Sequence, residues 1–469
     1  MNNLAFKSAA ALTAIGSTLT AANSAQPNVV IIYIDDMGIG DVGCYGGRFA
    51  PTPNIDKLAE DGIKFEQYYS AAPVSSASRC GITTGNFPLK YGITTFLNTK
   101  AYNRNCGQND YLVSKAPSMG RAFQEAGYAT AHIGKWHMGG GRDVTEAPQI
   151  TEYGFDEYLS TYESPDPDPA ITATKWIWSK QDSIKRWNRT AYFVDKSLDF
   201  IARNPDKPFF LNLWPDDVHA PWVPEYLENS TEKEKHTEEA FIPVLAELDV
   251  QIGRFIEGLK TLGVEENTIV IFTSDNGPAT NSFDVRRAAG LRGTKNSLYE
   301  GGINMPFIIK YPAKIEGGIV DESSVLCSVD LYPSLCNMVG IEVEGSFDGD
   351  GEDRTKALLG VSKKARKGDL MWDFGRNNYY NKPDDKHQVS PHLAIRSGEW
   401  KLLTDYNGGV AELYNIVEDR HETKDVAAQN PKIVKKLTKK VRTWFDENTE
   451  EWQKEAINNN KTTKKPIYN

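Results

Sequence analysis

Three aspartates and one asparagine follow directly on two apolar runs, residues 28–34 and 268–273. These four residues are Asp35, Asp36, Asp275 and Asn276. If the two runs form neighbouring strands, the four side chains meet at one edge of a sheet. Carboxylate and amide oxygens suit a hard cation such as Ca²⁺ or Mg²⁺ better than zinc. Because three close carboxylates would repel one another, we predict a metal ion there rather than simple capping of strand ends.

Two lysines and two histidines stand in loops that follow, or lie close to, other apolar runs. They are Lys135, His137, His219 and Lys295. Ammonium groups beside a metal would hold a tetrahedral anion, and imidazoles can transfer protons near neutral pH. Any one of these residues alone is compatible with an ordinary surface or capping role. Their joint placement favours a hydrolytic site for an anionic ester.

A segment of small residues, Ser75-Ser-Ala-Ser-Arg79, leads into Cys-Gly-Ile-Thr-Thr-Gly at residues 80–85. This pattern is compatible with the start of a helix, where backbone N–H groups favour an anion. It is equally compatible with a serine-rich loop. Residue type and local pattern do not distinguish Ser75 from Ser76 or Ser78 as a nucleophile.

Apolar runs that are continuous rather than alternating must position these residues. Such runs are typical of strands buried on both faces, and they cover residues 28–34, 128–133, 208–214, 268–273 and 306–310. Amphipathic helical patterns lie between them, at residues 118–126, 194–201 and 241–259. This alternation predicts an α/β fold with a large, mostly parallel sheet flanked by helices. Ligands bind beyond the carboxyl ends of the strands in such sheets.

The chain is predicted to have three parts. Residues 1–25 have a weakly basic start and an apolar, small-residue run, as in a signal peptide, so we expect a periplasmic or secreted protein. Residues 26–370 form the predicted catalytic domain. Residues 371–469 form a small C-terminal subdomain with an antiparallel sheet and one helix, ending in a polar segment from residue 450.

Composition excludes several classes of protein. A net charge of −10 argues against a nucleic-acid partner, because phosphate backbones require clustered Lys and Arg. Five cysteines are too few for a disulfide scaffold. No later apolar run is long enough for membrane insertion. The oligomeric state is left open.

Together, these motifs resemble the formylglycine-dependent sulfatases of the alkaline-phosphatase superfamily. The family signature is Cys or Ser, any residue, Pro or Ala, any residue, then Arg, followed by a stretch ending in Thr-Gly; here it is Ser75-Ser-Ala-Ser-Arg79 with Thr84-Gly85. The resemblance also covers Gly134-Lys-Trp-His137, Ser274-Asp-Asn-Gly277 and the late segment 394–401. It implies an alkaline-phosphatase-like fold.

The resemblance singles out Ser75 as the residue that a maturase oxidises to formylglycine. It also implies that the four strand-end oxygen ligands bind one Ca²⁺. Hydrated formylglycine is a gem-diol, and one of its hydroxyls would attack sulfur and displace the alcohol. Position 75 is cysteine in many family members, and a serine engineered in place of cysteine would look the same in the sequence.

The remaining roles are also implied by the resemblance. Arg79 and Lys135 would hold the gem-diol and the sulfate. His219 and Lys295 would bind sulfate, and His219 would protonate the leaving oxygen. His137 would take the proton from the other hydroxyl, which expels sulfate and restores the aldehyde.

The resemblance favours a sulfatase acting on a sulfated sugar. Five side chains are candidate sugar contacts, each also compatible with a structural role: Trp176, Trp178, Trp222, His387 and His392. Two alternatives remain. A phosphate or phosphonate ester hydrolase would use unmodified Ser75 as the acceptor, and a carbohydrate-binding relative would have no activity.

Overall fold

Two sheets organise the computed structural model, which describes residues 26–279, 285–342, 349–374 and 386–459. The predicted signal peptide, residues 1–25, lies outside the described residues. The strands, numbered β1 to β13, are Asn28–Ile34, Ile63–Tyr69, Ala129–Gly134, Glu157–Ser160, Phe209–Trp214, Thr268–Ser274, Asn304–Lys310, Ile319–Asp321, Leu326–Cys327, Leu370–Asp373, Leu393–Ser397, Trp400–Thr404 and Ala411–Asn415.

The α-helices of the described residues are numbered α1 to α11. They are Pro53–Glu60, Ser75–Thr84, Lys100–Asn105, Met119–Glu125, Arg189–Arg203, Glu238–Thr261, Glu300–Ile303, Leu331–Val339, Thr355–Leu358, Pro431–Glu447 and Glu451–Asn459. Each of the three predicted helical patterns and each of the five predicted runs therefore forms the expected kind of element.

The larger sheet has nine strands in the order β4-β3-β5-β1-β6-β7-β2-β8, with β9 beside β2. Strands β4, β3, β5, β1 and β6 are mutually parallel, and β7 runs antiparallel to both of its neighbours. The predicted α/β class with a mostly parallel sheet is confirmed. Because β3, β5, β1 and β6 are consecutive, their carboxyl ends lie along one edge.

Two apolar layers cover the faces of this sheet, which explains why its central strands are uninterrupted hydrophobic runs. All seven residues of β1 are buried, and alternate side chains enter opposite layers. Val29 and Ile31 pack in the layer that contains α2 and α8, while Val30 and Ile32 pack in the layer that contains α5 and α6.

The C-terminal sheet has the order β10-β11-β12-β13, and all its pairs are antiparallel, as predicted. Its apolar face packs against Leu437, Val441 and Phe445 of α10, which is the expected helix. A second helix, α11, follows where the sequence predicts only a polar end. Its buried residue is Gln453, which is 2% exposed, and its Ile457 packs against the apolar cluster of the C-terminal sheet.

Three further observations concern sequence expectations. The C-terminal sheet shares the core of the large sheet, since Leu370, Trp372 and Leu403 belong to the same apolar cluster as Val29. No disulfide is found among the described cysteines. No described helix has the length and apolar character needed to cross a membrane.

Candidate active site

Three buried carboxylates meet at the carboxyl ends of β1 and β6. Ile34 pairs with Ser274 across these parallel strands, so the residues that follow them emerge side by side. Oxygens of Asp35, Asp36 and Asp275 lie within 4.8 Å of one another. The backbone N–H of Asp36 also donates to Asp275 Oδ1 at 3.1 Å. The predicted strand-end cluster therefore forms.

The chemistry of this cluster fits a divalent cation. Burial and the charge of Asp35 raise the pKa of Asp275 to about 7, which a bound cation would reverse. Asn276 donates its Nδ2 to Asp36 Oδ1 at 2.7 Å, while its buried Oδ1 has no partner among the described residues. A hard, all-oxygen donor set with an unused amide oxygen suits Ca²⁺ or Mg²⁺.

Ser75 opens α2, which begins directly after β2 and a short loop. Its Oγ donates to Asp35 Oδ1 at 3.0 Å and lies 3.4 Å from Lys135 Nζ. The hydroxyl of Ser76 accepts from a backbone N–H at 2.9 Å, and that of Ser78 pairs with a tyrosine hydroxyl at 2.7 Å. Of these three serines, Ser75 alone lines the cavity described below.

Arg79, one turn further along α2, is completely buried. Its NH2 lies 3.0 Å from Asp275 Oδ2 and 3.5 Å from Asp35 Oδ1. The guanidinium also stands 5.3 Å from the ring of Tyr33 and 5.2 Å from the ring of Trp214, where cation–π attraction offsets part of its desolvation. Arg79 therefore acts on the carboxylate cluster from within the protein.

The remaining predicted cations also converge on the cluster. Lys135 Nζ lies 2.7 Å from Asp35 Oδ2, Lys295 Nζ donates to Asp36 Oδ1, and His219 Nε2 lies 3.6 Å from Asp36 Oδ2. Burial alone would raise the pKa of Asp35, but Lys135 and His219 hold it well below its usual range. Burial also lowers the pKa of His219.

A cavity of about 410 Å³ opens over these residues. It is lined by five of the six predicted catalytic residues, namely Ser75, Lys135, His137, His219 and Lys295. Three cations, Arg79, Lys135 and Lys295, match the three carboxylates of the cluster. A divalent cation would therefore leave net positive charge for an anion.

Sequence reasoning missed Glu163 and Arg142, which also line this cavity. Glu163 lies 3.0 Å from His137 through Oε2 and 3.0 Å from Arg142 through Oε1. The strand-end rule that found Asp35 would have found Glu163, which follows β4. That strand has only four residues, of which Tyr158 and Leu159 are apolar, so its pattern is too short to predict a strand.

Two arginines that no motif indicates hold the loop of His219. Arg186 donates to Asp216 Oδ1 at 2.9 Å and to the carbonyl of His219 at 3.1 Å. Arg189 lies 2.8 Å from Asp216 Oδ2 and donates to the carbonyl of Ile177. These buried contacts connect the loop of His219 to the rim of the cavity.

Of the five candidate sugar contacts, only Trp176 is in the described lining of the cavity, where it is 54% exposed. Trp222 is buried and donates its Nε1 to a backbone carbonyl. Trp178 is buried beneath a lysine ammonium group. His392 stacks on a tyrosine ring at 4.5 Å, and the carbonyl of His387 accepts a threonine hydroxyl.

Comparisons with known proteins place the chain among the sulfatases. The sequence model of the family described as "Sulfatase" matches residues 27–341, and that described as "N-sulphoglucosamine sulphohydrolase, C-terminal" matches residues 293–448. An N-acetylgalactosamine-6-O-sulfatase of Bacteroides thetaiotaomicron is 26% identical over 89% of this chain and 92% of that protein. An N-acetylgalactosamine-6-sulfatase of Canis lupus familiaris is 31% identical over 73% of this chain and 68% of that protein.

The fold also matches solved structures. One from work on the metabolism of multiple glycosaminoglycans by Bacteroides thetaiotaomicron has a TM-score of 0.74. The match covers 90% of this chain and 100% of that one at 24% sequence identity. This likeness confirms the expected alkaline-phosphatase-like fold.

Proposed function

Because this chain belongs to the sulfatase family, whose members are sulfuric ester hydrolases, we propose that it removes sulfate from a sugar by means of a formylglycine made from Ser75. The supporting observation is the convergence of Ser75, Lys135, His137, His219 and Lys295 on one cavity beside three buried carboxylates. This arrangement supports the roles that the family resemblance implies for these five residues.

A sulfated carbohydrate is the proposed substrate class. Two similar proteins bear names of N-acetylgalactosamine sulfatases. In this chain, the exposed ring of Trp176 and the cavity side chain of Arg142 offer an apolar face and polar groups next to the anion site. Sugars present the same combination of apolar ring faces and hydroxyl groups.

Oxidation of Ser75 to an aldehyde, hydrated in water, would supply a nucleophilic hydroxyl and a second hydroxyl for release of sulfate. Lys135, 3.4 Å from Ser75 Oγ, is placed to orient the attacking oxygen and hold it anionic. Arg79 would neutralise part of the negative charge of Asp35 and Asp275, which reduces their repulsion of the attacking oxygen. His137 would accept the proton of the second hydroxyl.

On the other side of the cavity, Lys295 and His219 both reach Asp36. They would bind the sulfate oxygens, and His219 would give a proton to the leaving oxygen. Because these groups are shielded from water, their interactions with the sulfate oxygens become stronger as charge shifts in the transition state. Ca²⁺ held by the four strand-end ligands would add positive charge that polarises the sulfate.

We further propose export and maturation. Residues 1–25 would direct the chain to the periplasm or outside the cell, and a formylglycine-generating enzyme would act on the Ser75 segment. The proposed catalytic domain is residues 26–370. The proposed C-terminal subdomain is residues 371–469, and its antiparallel sheet would share the apolar core of the large sheet. Strand β10 begins at Leu370, next to this boundary.

The decisive assay compares aryl sulfate, aryl phosphate and sulfated galactosamine or glucosamine sugars, using chain produced together with a serine-type maturase. We expect sulfate to be released faster than phosphate. Faster phosphate cleavage by chain with unmodified Ser75 would favour the phosphate or phosphonate alternative. Sugar binding without turnover of any ester by the matured chain would favour the inactive carbohydrate-binding relative.

Ca²⁺ should raise the melting temperature of the unmodified, inactive chain, because the cation relieves the repulsion among three buried carboxylates. At a free Ca²⁺ concentration 100 times the dissociation constant, binding adds about 2.7 kcal/mol to the free energy of unfolding. Differential scanning fluorimetry after chelation and re-addition of Ca²⁺ measures this. Asp275→Asn should lose most of the response while the metal-free variant stays folded. Equal melting curves with and without Ca²⁺ and Mg²⁺ would contradict the metal site.

Trp176→Ala should weaken sugar binding and spare the chemistry. Loss of ring stacking costs about 1 kcal/mol, so we expect KM for a sulfated oligosaccharide to rise roughly 3-fold to 10-fold. An aryl sulfate without a sugar ring is the matched control, and its kcat and KM should stay unchanged. An equal loss with both substrates would show that Trp176 supports the cavity rather than the sugar.

A further inference from the structure

His137 is held by one residue that the sequence does not indicate. Its backbone N–H donates to the carbonyl of Glu163 at 3.0 Å. Its ring Nε2 lies 3.0 Å from Glu163 Oε2 and 3.1 Å from the carbonyl oxygen of Leu97. Main chain and side chain of Glu163 therefore both fix the position of this imidazole.

These contacts determine which ring nitrogen carries the proton. A carbonyl oxygen and a carboxylate only accept hydrogen bonds, so Nε2 of His137 must be the donor to both. Its Nδ1 is buried and has no partner among the described residues. In the neutral ring, Nδ1 is then the unprotonated nitrogen, and only an unprotonated ring nitrogen can accept a proton as a general base.

Glu163 is itself held as an anion. Burial would raise its pKa, but His137, Lys135 and Arg142 lower it. Arg142 NH2 donates to Oε1 at 3.0 Å, which leaves Oε2 for the imidazole. A carboxylate fixed in this way can both orient a histidine and stabilise the imidazolium that forms when the histidine accepts a proton.

We propose that Glu163 is the positioning residue for His137: it fixes the Nε2–H tautomer and stabilises the imidazolium formed when Nδ1 takes a proton from the second hydroxyl at position 75. In that step the O–H bond breaks and the proton forms the Nδ1–H bond. The electron pair of the O–H bond forms the C=O bond of the aldehyde, and the C–O bond to sulfate breaks so that sulfate leaves with that bonding pair. The proposal rests on the proposed function for its catalytic meaning. The tautomer itself belongs to the unmodified chain.

The tautomer is tested by ¹⁵N NMR of histidine side chains in the unmodified chain at pH 7, with His137→Gln used to assign the signal. We expect a single form with Nε2 protonated and Nδ1 unprotonated. Glu163→Ala should populate the second tautomer and broaden the signal. A wild-type ring protonated at Nδ1 would overturn the proposal, whatever the chain hydrolyses.

Kinetics of the matured enzyme form the second test. Glu163→Gln keeps the shape but removes the charge, so kcat should fall on the order of 10-fold to 100-fold with KM nearly constant, and Glu163→Asp should recover part of the loss. Glu146→Gln breaks a surface ion pair of 2.7 Å with Lys100 and should change neither quantity. A rise in KM with unchanged kcat would instead make Glu163 a substrate contact. Failure of the wild type to cleave any sulfate ester would contradict the proposed function and leave the NMR result standing.

Discussion

Replacing Ser75 with alanine should abolish hydrolysis by chain that has been matured, with a loss on the order of 10⁴-fold or more. The physical reason is that Ser75 Oγ is the hydroxyl placed between Asp35 and Lys135 at the cavity surface. Alanine has no oxygen for a maturase to oxidise and none to attack sulfur. Peptide mass spectrometry over residues 73–79 gives the chemical readout alongside the sulfate-release assay.

Matured wild type should show the loss of two hydrogens at Ser75, and Ser75→Ala should show none. Ser78→Ala is the matched control because that serine occupies the same helix and pairs with Tyr33 rather than facing the cavity. It should keep both the modification and most of the activity. Undiminished activity of Ser75→Ala, or a modification that maps to another serine, would rule out the proposed role.

Lys401→Met should destabilise the folded chain by roughly 3–5 kcal/mol, because it leaves two buried carboxylates without their cation. Lys401 is completely buried on β12, 2.8 Å from Glu300 Oε1 and 2.9 Å from Glu422 Oε1. Glu422 also accepts the backbone N–H of Glu300 at 2.7 Å. Because Glu300 starts α7, five residues after Lys295, the loss should also lower activity. Denaturant unfolding measures the free-energy change.

The pH dependence of this effect has a definite sign. Burial and the charge of Glu300 raise the pKa of Glu422 to about 7 despite Lys401. Removing Lys401 raises it further. A carboxyl group with a raised folded-state pKa loses its stabilising contribution as pH rises through that pKa, so the gap between variant and wild type should widen above about pH 7.

Two variants control the Lys401 experiment. Lys57→Met removes a lysine whose side chain is 63% exposed, and it should change stability by less than about 0.5 kcal/mol. Adding Glu422→Gln to Lys401→Met should recover part of the lost stability, because it removes one of the two buried carboxylates that the lysine substitution leaves without a cation. Additive losses in the double variant would show that Lys401 does not neutralise Glu422.

The amino-acid sequence alone determined the fold class and indicated most residues of the candidate site. Continuous apolar runs such as residues 28–34 are typical of strands that are covered on both faces. This preference does not depend on how the individual side chains pack. Polar residues placed directly after such runs must then emerge at one edge. Family motifs supplied the proposed roles of Ser75, His137 and Lys295, which residue type alone left open.

Only the tertiary structure decided how the individual side chains are used. Ser75 differs from Ser76 and Ser78 because helix α2 turns just one of the three hydroxyls toward Asp35. Glu163 follows a short strand that has no apolar pattern. It reaches the site only because the fold brings together residues that are far apart in the sequence. Such contacts depend on which strands become neighbours and on the rotation of each helix. A local sequence pattern carries neither, because both are set by packing across the whole core.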